Sequence, residues 1–115
     1  MPRRKSRRPA LSPEALDLVA TRFRMLAEPM RLRLLHALHD GEMSVTQLVE
    51  ATGATQANVS KHLGLMVEAG LLRRRKEGLN VFYAIADRMV FELCDLVCAR
   101  LHVELEGKAA HFQKR

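Results

Sequence analysis

The amino-acid sequence predicts a mainly α-helical chain with one small β-hairpin, an α+β domain built around a short helix with a polar tip. Three observations predict it. Apolar residues recur at helical spacing from Leu16 onward, glycine-containing turns interrupt that spacing at Gly41 and Gly53, and only the stretch after Gly70 changes to β-favouring alternation.

Composition narrows the field. With 115 residues, 48% of them hydrophobic, the chain makes one domain with a real core, and is small enough that oligomerisation would add stability. Aromatic residues make up 4% and Trp is absent, which argues against a stacking surface for single strands or RNA. The net charge is +6, and Arg3, Arg4, Lys5, Arg7 and Arg8 supply most of it. Lys61, Arg73, Arg74, Arg75 and Lys76 form a second basic group, opposed locally by Glu68 and Glu77. Positive charge is therefore concentrated at two places, as a surface facing duplex DNA requires. No apolar h-region follows the basic start and no run approaches the length of a membrane span, so a cytoplasmic chain with no membrane partner is expected. Two cysteines near the C-terminus do not make a disulfide framework.

Residues 1–11 read as a disordered basic arm, either a solvated tail or a segment that tracks a groove. Residues 12–106 form the folded domain, and 107–115 a flexible tail. In the first helix Ser12 can cap, Pro13 suits the first helical position, and Leu16, Val19, Ala20, Phe23 and Leu26 share a stripe. Ala27-Glu28-Pro29 breaks it. Pro29 opens a second helix to about Leu38, with Leu32, Leu34, Leu35 and Leu38 apolar, closed by Asp40-Gly41. Ser44-Val45-Thr46-Gln47 has the form of a capping box, and the short helix it starts, carrying Leu48 and Val49, ends at Gly53.

The helix that begins at Thr55 is the centre of the reading. At about 100° per residue, Val59, Leu63, Met66, Val67 and Gly70 gather on one side while Lys61 points away. Thr55 can cap the first turn, and Gly70 can end the helix in a left-handed turn. Gln56, Asn58, Ser60 and Lys61 then occupy the first two turns, the part of a helix that reaches base edges in a major groove. Two short helices joined by a tight Gly-containing turn, the second polar on its outer face, make a helix-turn-helix.

After Gly70 a basic strand, the turn Glu77-Gly78-Leu79-Asn80 and the alternating Val81, Phe82, Tyr83, Ala84 and Ile85 form a hairpin. Its charges either solvate an edge strand or reach phosphate, and phosphate is favoured directly behind a helix-turn-helix. Asp87 caps a last helix, Arg88 to Glu106, whose apolar residues cover more of its circumference than one stripe. One face packs on the domain. The surplus fits a second copy, which also suits paired half-sites on DNA.

With these pieces in this order, the chain resembles the ArsR/SmtB family of small repressors over about residues 15–101. The resemblance is carried by Leu26-Ala27-Glu28-Pro29-Met30-Arg31-Leu32-Arg33-Leu34-Leu35, by Gly41-Glu42-Met43-Ser44-Val45 with Leu48, and by Gln56-Ala57-Asn58-Val59-Ser60-Lys61-His62-Leu63. Glu68-Ala69-Gly70-Leu71-Leu72 and Arg75-Lys76-Glu77-Gly78 through Tyr83 complete it. It implies a winged helix-turn-helix of order α-α-(β)-α-α-β-β-α. It also implies a homodimer through first and last helices, a double-stranded DNA operator as partner, and repression lifted by an effector. Family DNA contacts map to Gln56, Ala57, Ser60 and Lys61 and to the wing from Arg75 to Asn80. Ala57 stands where members often have Ser. The whole candidate DNA-facing set is Ser44, Thr55, Gln56, Ala57, Asn58, Ser60, Lys61, His62, Arg73, Arg75, Lys76, Gly78 and Asn80. The candidate dimer seam is Leu16, Val19, Phe23, Val90, Leu93, Val97 and Leu101.

The resemblance weakens at the effector. Ser44 and Thr46 stand where the family's Cys-Val-Cys soft-metal pattern has its cysteines, and hydroxyls are poor ligands for soft metals. The last-helix zinc or nickel pattern keeps Asp87 but has Met89, Arg100 and Val103 at its other positions. About His36 falls where persulfide-sensing relatives carry a second-helix cysteine. What remains is Cys94, Cys98 and His102, four apart on the last helix, so they rise along one side with a drift of about 40° per step. They read either as a half-site for a thiophilic metal or metalloid ion, the one candidate cofactor, or as thiols for oxidation, or as core packing. His36 and His39 are further ligand candidates, read first as ordinary histidines. Beside an effector-responsive regulator stand two alternatives. One is a regulator without a small ligand. The other, of a different class, is a thiol-based metal carrier or redox protein, disfavoured because no Cys-x-x-Cys, no phosphate loop and no nucleophile with a base is present.

Overall fold

The computed structural model describes residues 10–107. They form α1 (Pro13–Leu26), α2 (Pro29–Ala37), β1 (Met43–Ser44), α3 (Val45–Thr52), α4 (Gln56–Glu68), β2 (Leu72–Glu77), β3 (Asn80–Ile85) and α5 (Arg88–Glu106). The expected order is found, with β1 as its bracketed strand. The basic arm up to Pro9, and the tail from Lys108, lie outside the described residues.

Helix starts follow local hydrogen-bond chemistry. Ser12, Ser44, Thr55 and Asp87 each accept a backbone N–H of the first turn, from Ala15, Gln47, Asn58 and Met89 respectively. Each such cap is worth about 1 kcal/mol. Ser44 also completes the capping box, its own N–H donating to Gln47 Oε1 at 2.9 Å. Glu28 caps α2, and the Arg31 N–H it accepts holds its carboxyl below the usual carboxylate range.

The core lies under α4. Val59, Leu63 and Met66 of α4 meet Leu34, Leu35 and Leu38 from α2 and its C-cap and Leu48 of α3, joined by Leu71, Leu72, Tyr83 and Val90. Each leucine fully buried there contributes roughly 2 kcal/mol of transfer free energy. Gly53, at φ 73°, makes the sharp corner between α3 and α4 that a residue with a Cβ would strain. The sheet runs β1-β3-β2, all antiparallel, with Met43 opposite Tyr83, Leu72 opposite Ile85 and Glu77 opposite Asn80.

α1 and α5 are the under-packed elements. α1 buries only Leu26, leaving Leu16, Leu18, Val19 and Phe23 exposed, and α5 leaves Leu96, Val97, Leu101, Val103 and Leu105 exposed. The two are linked where Arg22 reaches the α5 cap Asp87 at 3.5 Å. One expectation for the seam is corrected: Val90 is 1% exposed and belongs to the chain's own core, because the first turns of α5 press onto it. Leu93 is half-buried against the same core. Among the described residues no helix is long and apolar enough to cross a membrane.

Candidate nucleic-acid interface

α3 and α4, joined through Gly53, are the helix-turn-helix. With the Thr55 hydroxyl accepting from Asn58 N at 3.1 Å, α4 starts cleanly, and Gln56, Ala57, Asn58, Ser60 and Lys61 all lie exposed on its first two turns. Ser44 is half-buried and its hydroxyl oxygen accepts the Gln47 N–H at the α3 cap, which fixes the side chain toward α3.

His62 departs from expectation. It is 7% exposed, and its Nδ1 accepts a hydrogen bond from Arg31 Nε at 3.2 Å. It therefore faces α2 rather than solvent. Its helical angle, about 60° from Val59, places it beside the buried stripe, and that signal was available in the sequence.

The hairpin after Gly70 forms the wing. Arg73, Arg74 and Lys76 are exposed and make no ion pair with any other described residue; Lys61 is the same. Arg74, left out of the candidate set, joins them, since all of β2 beyond Leu72 is exposed. Gly78, at φ 61°, and exposed Asn80 form the turn. Arg75 is engaged within the wing itself. Its guanidinium lies over the Phe82 ring and bonds Glu42, from the segment before β1, and Glu77 of its own strand. These carboxylates raise its pKa, and the Arg75 hydrogen bond holds the Glu42 carboxyl below its ordinary range.

Between α2, the end of β3 and α5 lies a cavity of about 320 Å³. Leu35, Ile85, Val90 and Phe91 line it, with His36, His39, Cys94 and Cys98 at its walls. Both cysteines are free thiols. Cys94 is half-buried on the core, and burial, then the neighbouring Cys98 and Asp95, push its thiol up. His39 Nε2 lies 3.4 Å from Asp95, and its ring meets Phe91 edge-on at 5.1 Å. The trio Cys94, Cys98 and His102 does not converge within one chain. Successive members are displaced by about 6 Å along the axis, His102 pairs instead with Glu106 at 3.4 Å, and among the described residues no three His, Cys, Asp or Glu side chains could hold a metal ion.

A helix-turn-helix domain model matches residues 26–75, from the last residue of α1 through Arg75 in β2. The chain is 39% identical over 83 residues to the HTH-type transcriptional regulator KmtR of Mycobacterium tuberculosis, covering 72% of this chain and 64% of KmtR, so less than two thirds of that relative is spanned. It is 35% identical over 88 residues to the transcriptional repressor SmtB homolog of Synechocystis, covering 72% of this chain and 67% of the homolog. The chain belongs to the ArsR/SmtB family. Among solved structures, the antimony-specific transcriptional repressor AntR superposes with a TM-score of 0.75 at 33% identity, over 86% of this chain and 91% of that one. The homodimeric winged helix-turn-helix DNA-binding domain of Mb0332 from Mycobacterium bovis gives 0.68 at 33%, over 87% and 90%. In this ArsR/SmtB member the residue at the first Cys-Val-Cys position, Ser44, is a helix cap, and Thr46 beside it is exposed.

Proposed function

We propose that the chain is a dimeric, sequence-specific DNA-binding transcriptional repressor. α4 enters the major groove with Gln56, Asn58, Ser60 and Lys61 at base edges and phosphates, and the wing lays Arg73, Arg74 and Lys76 along the backbone. The observation that carries this reading is the capped tip of α4, exposed and polar, followed at once by a hairpin whose Arg73, Arg74 and Lys76 are exposed and make no ion pair among the described residues. Pairing of the exposed apolar faces of α1 and α5 doubles the unit. The homodimeric Mb0332 domain and the repressor names of the relatives support it. Those relatives are named as regulators, which supports a regulator over a thiol carrier.

Release by a thiophilic ion or by thiol oxidation at Cys94 and Cys98 is the finer part of the proposal. The α2–α5 cavity supports it by having both thiols and two histidines among its lining residues, and AntR supports it as an antimony-specific repressor. The packing of Cys94 on the core supports the simpler regulator without a ligand. One experiment separates them: a shift assay on DNA upstream of the gene and on random duplex, titrated with arsenite, thiophilic metals and oxidants. Preference for the upstream fragment supports the repressor. Release of the wild type but not of Cys94→Ser/Cys98→Ser supports sensing, and a wild type that never releases supports packing.

A further inference from the structure

α4 rests on the domain almost wholly through apolar contacts. Val59, Leu63 and Met66 against Leu34, Leu35 and Leu48 supply attraction with little directional preference, so a directional bond adds to what they fix of the helix's angle. Among the described residues one side-chain hydrogen bond joins α2 to α4, and it falls next to the reading surface: Arg31 Nε to His62 Nδ1, 3.2 Å, with His62 following Lys61 directly. The same guanidinium donates from Nη1 to the Met25 carbonyl in the last turn of α1 at 3.1 Å, 3.2 Å from the Met25 sulfur. The Arg31 backbone N–H is fixed in turn by Glu28 Oε1 at 2.9 Å.

One rigid planar fork thus ties the end of α1 to the middle of α4, while the backbone N–H of the same residue is held by the α2 cap. α1 also carries the exposed Leu16, Val19 and Phe23. A recognition element has to be held within about 10–20° of its productive orientation to read bases. Attachment to phosphate tolerates more, because it depends on charges placed near the backbone.

We infer that Arg31, acting through His62, is a positioning residue that sets the angle of α4 and so governs discrimination between duplex sequences rather than attachment to duplex. The inference rests on α4 being the reading helix. Arg31→Lys keeps the charge but replaces the fork with a point donor that cannot span Met25 and His62 together. His62→Leu removes the acceptor, whereas His62→Asn restores an oxygen near the Nδ1 position.

The test measures each protein on two duplexes, a fragment the wild type has selected from a random pool and its scrambled counterpart, across salt concentrations, with thermal melting alongside. Arg31→Lys and His62→Leu are expected to cut the preference for the selected fragment about tenfold or more, within the span of specific over non-specific binding. Their affinity for the scrambled duplex and their salt slope stay close to wild type, since no phosphate contact is lost. His62→Asn recovers most of the preference. In the wild type, ring nitrogen shifts of His62 report an unprotonated Nδ1. Equal losses on both duplexes, unchanged preference, or no recovery by His62→Asn overturns the inference. Where Arg31→Lys does not fold, the two His62 variants decide it. A wild type that selects no fragment overturns the reading of α4 and this inference together.

Discussion

The Arg75 guanidinium carbon sits 4.7 Å from the centroid of the Phe82 ring. Arg75 and Phe82 are opposite each other in the β2–β3 register, and Ser44 of β1 is opposite Phe82 on the other side. The arginine lies across the sheet toward Glu42, so the wing is tied to the segment that leads into the capping box of α3. The exposed cations of β2 with no ion pair among the described residues are its neighbours, Arg73, Arg74 and Lys76.

This division of labour is measurable. Arg73→Ala and Lys76→Ala are each expected to lower the salt slope of DNA binding by about 1, the loss of one phosphate contact. Arg75→Ala is expected to leave the slope unchanged while loosening the hairpin, seen as faster amide exchange in β2. A slope lowered equally by all three would place Arg75 at the phosphates.

The same cluster fixes a pH dependence. Glu42 is held below its ordinary range by the Arg75 hydrogen bond, so the folded state favours its ionised form. Its contribution is present above the carboxyl's unfolded value and is lost as pH falls through the lowered folded one. Carboxyl titration by NMR should find the Glu42 midpoint below that of an exposed glutamate, and Arg75→Ala should raise it. An unmoved midpoint would remove the pair.

Lys61 projects from the second turn of α4 with no ion pair to another described residue. Lys61→Ala is expected to weaken operator binding by about 1 kcal/mol or more at moderate salt, with no change in melting temperature. Unchanged affinity would take it out of the interface.

What could be read from the sequence was local. Ser12, Ser44, Thr55 and Asp87 announce their helices because each satisfies an amide within three residues of itself. The α4 stripe was legible for the same reason, since Val59, Leu63 and Met66 repeat within one element. Partners distant in the chain were not. Nothing around Arg75 marks Glu42, 33 residues away, and nothing around His62 marks Arg31. α5 concealed Val90 differently: its apolar residues spread over more than one stripe, so its periodicity could not distinguish the turn that packs on the core from the turns that protrude.

That protruding half carries a prediction of its own. Val97 and Leu101 are about half exposed, on a half of α5 that adds nothing to the core cluster of the described residues, whose α5 members are Val90, Leu93 and Cys94. Val97→Glu puts a charge into any apolar seam formed there, at a cost that pairing would have to meet without a partner for the carboxylate. Sedimentation should show a folded monomer where the wild type is a dimer. A variant that stays dimeric would move the interface away from α5.

The two thiols should differ in reactivity. Cys94 is half-buried on the core and its pKa is raised, by loss of solvent first and then by Cys98 and Asp95, so at pH 8 it holds its proton more firmly than an open thiol. Cys98, one turn on, is exposed. Because the thiolate is the attacking species, iodoacetamide should label Cys98 first, and Cys94 should catch up as the pH rises past its elevated value. Peptide mapping after short pulses at pH 8 and pH 10 follows both sites. Cys94 labelled as fast as Cys98 at pH 8 would mean that the α2–α5 cavity opens in solution far enough to hydrate it, and the packing of Cys94 on the core would then no longer argue against a sensing role.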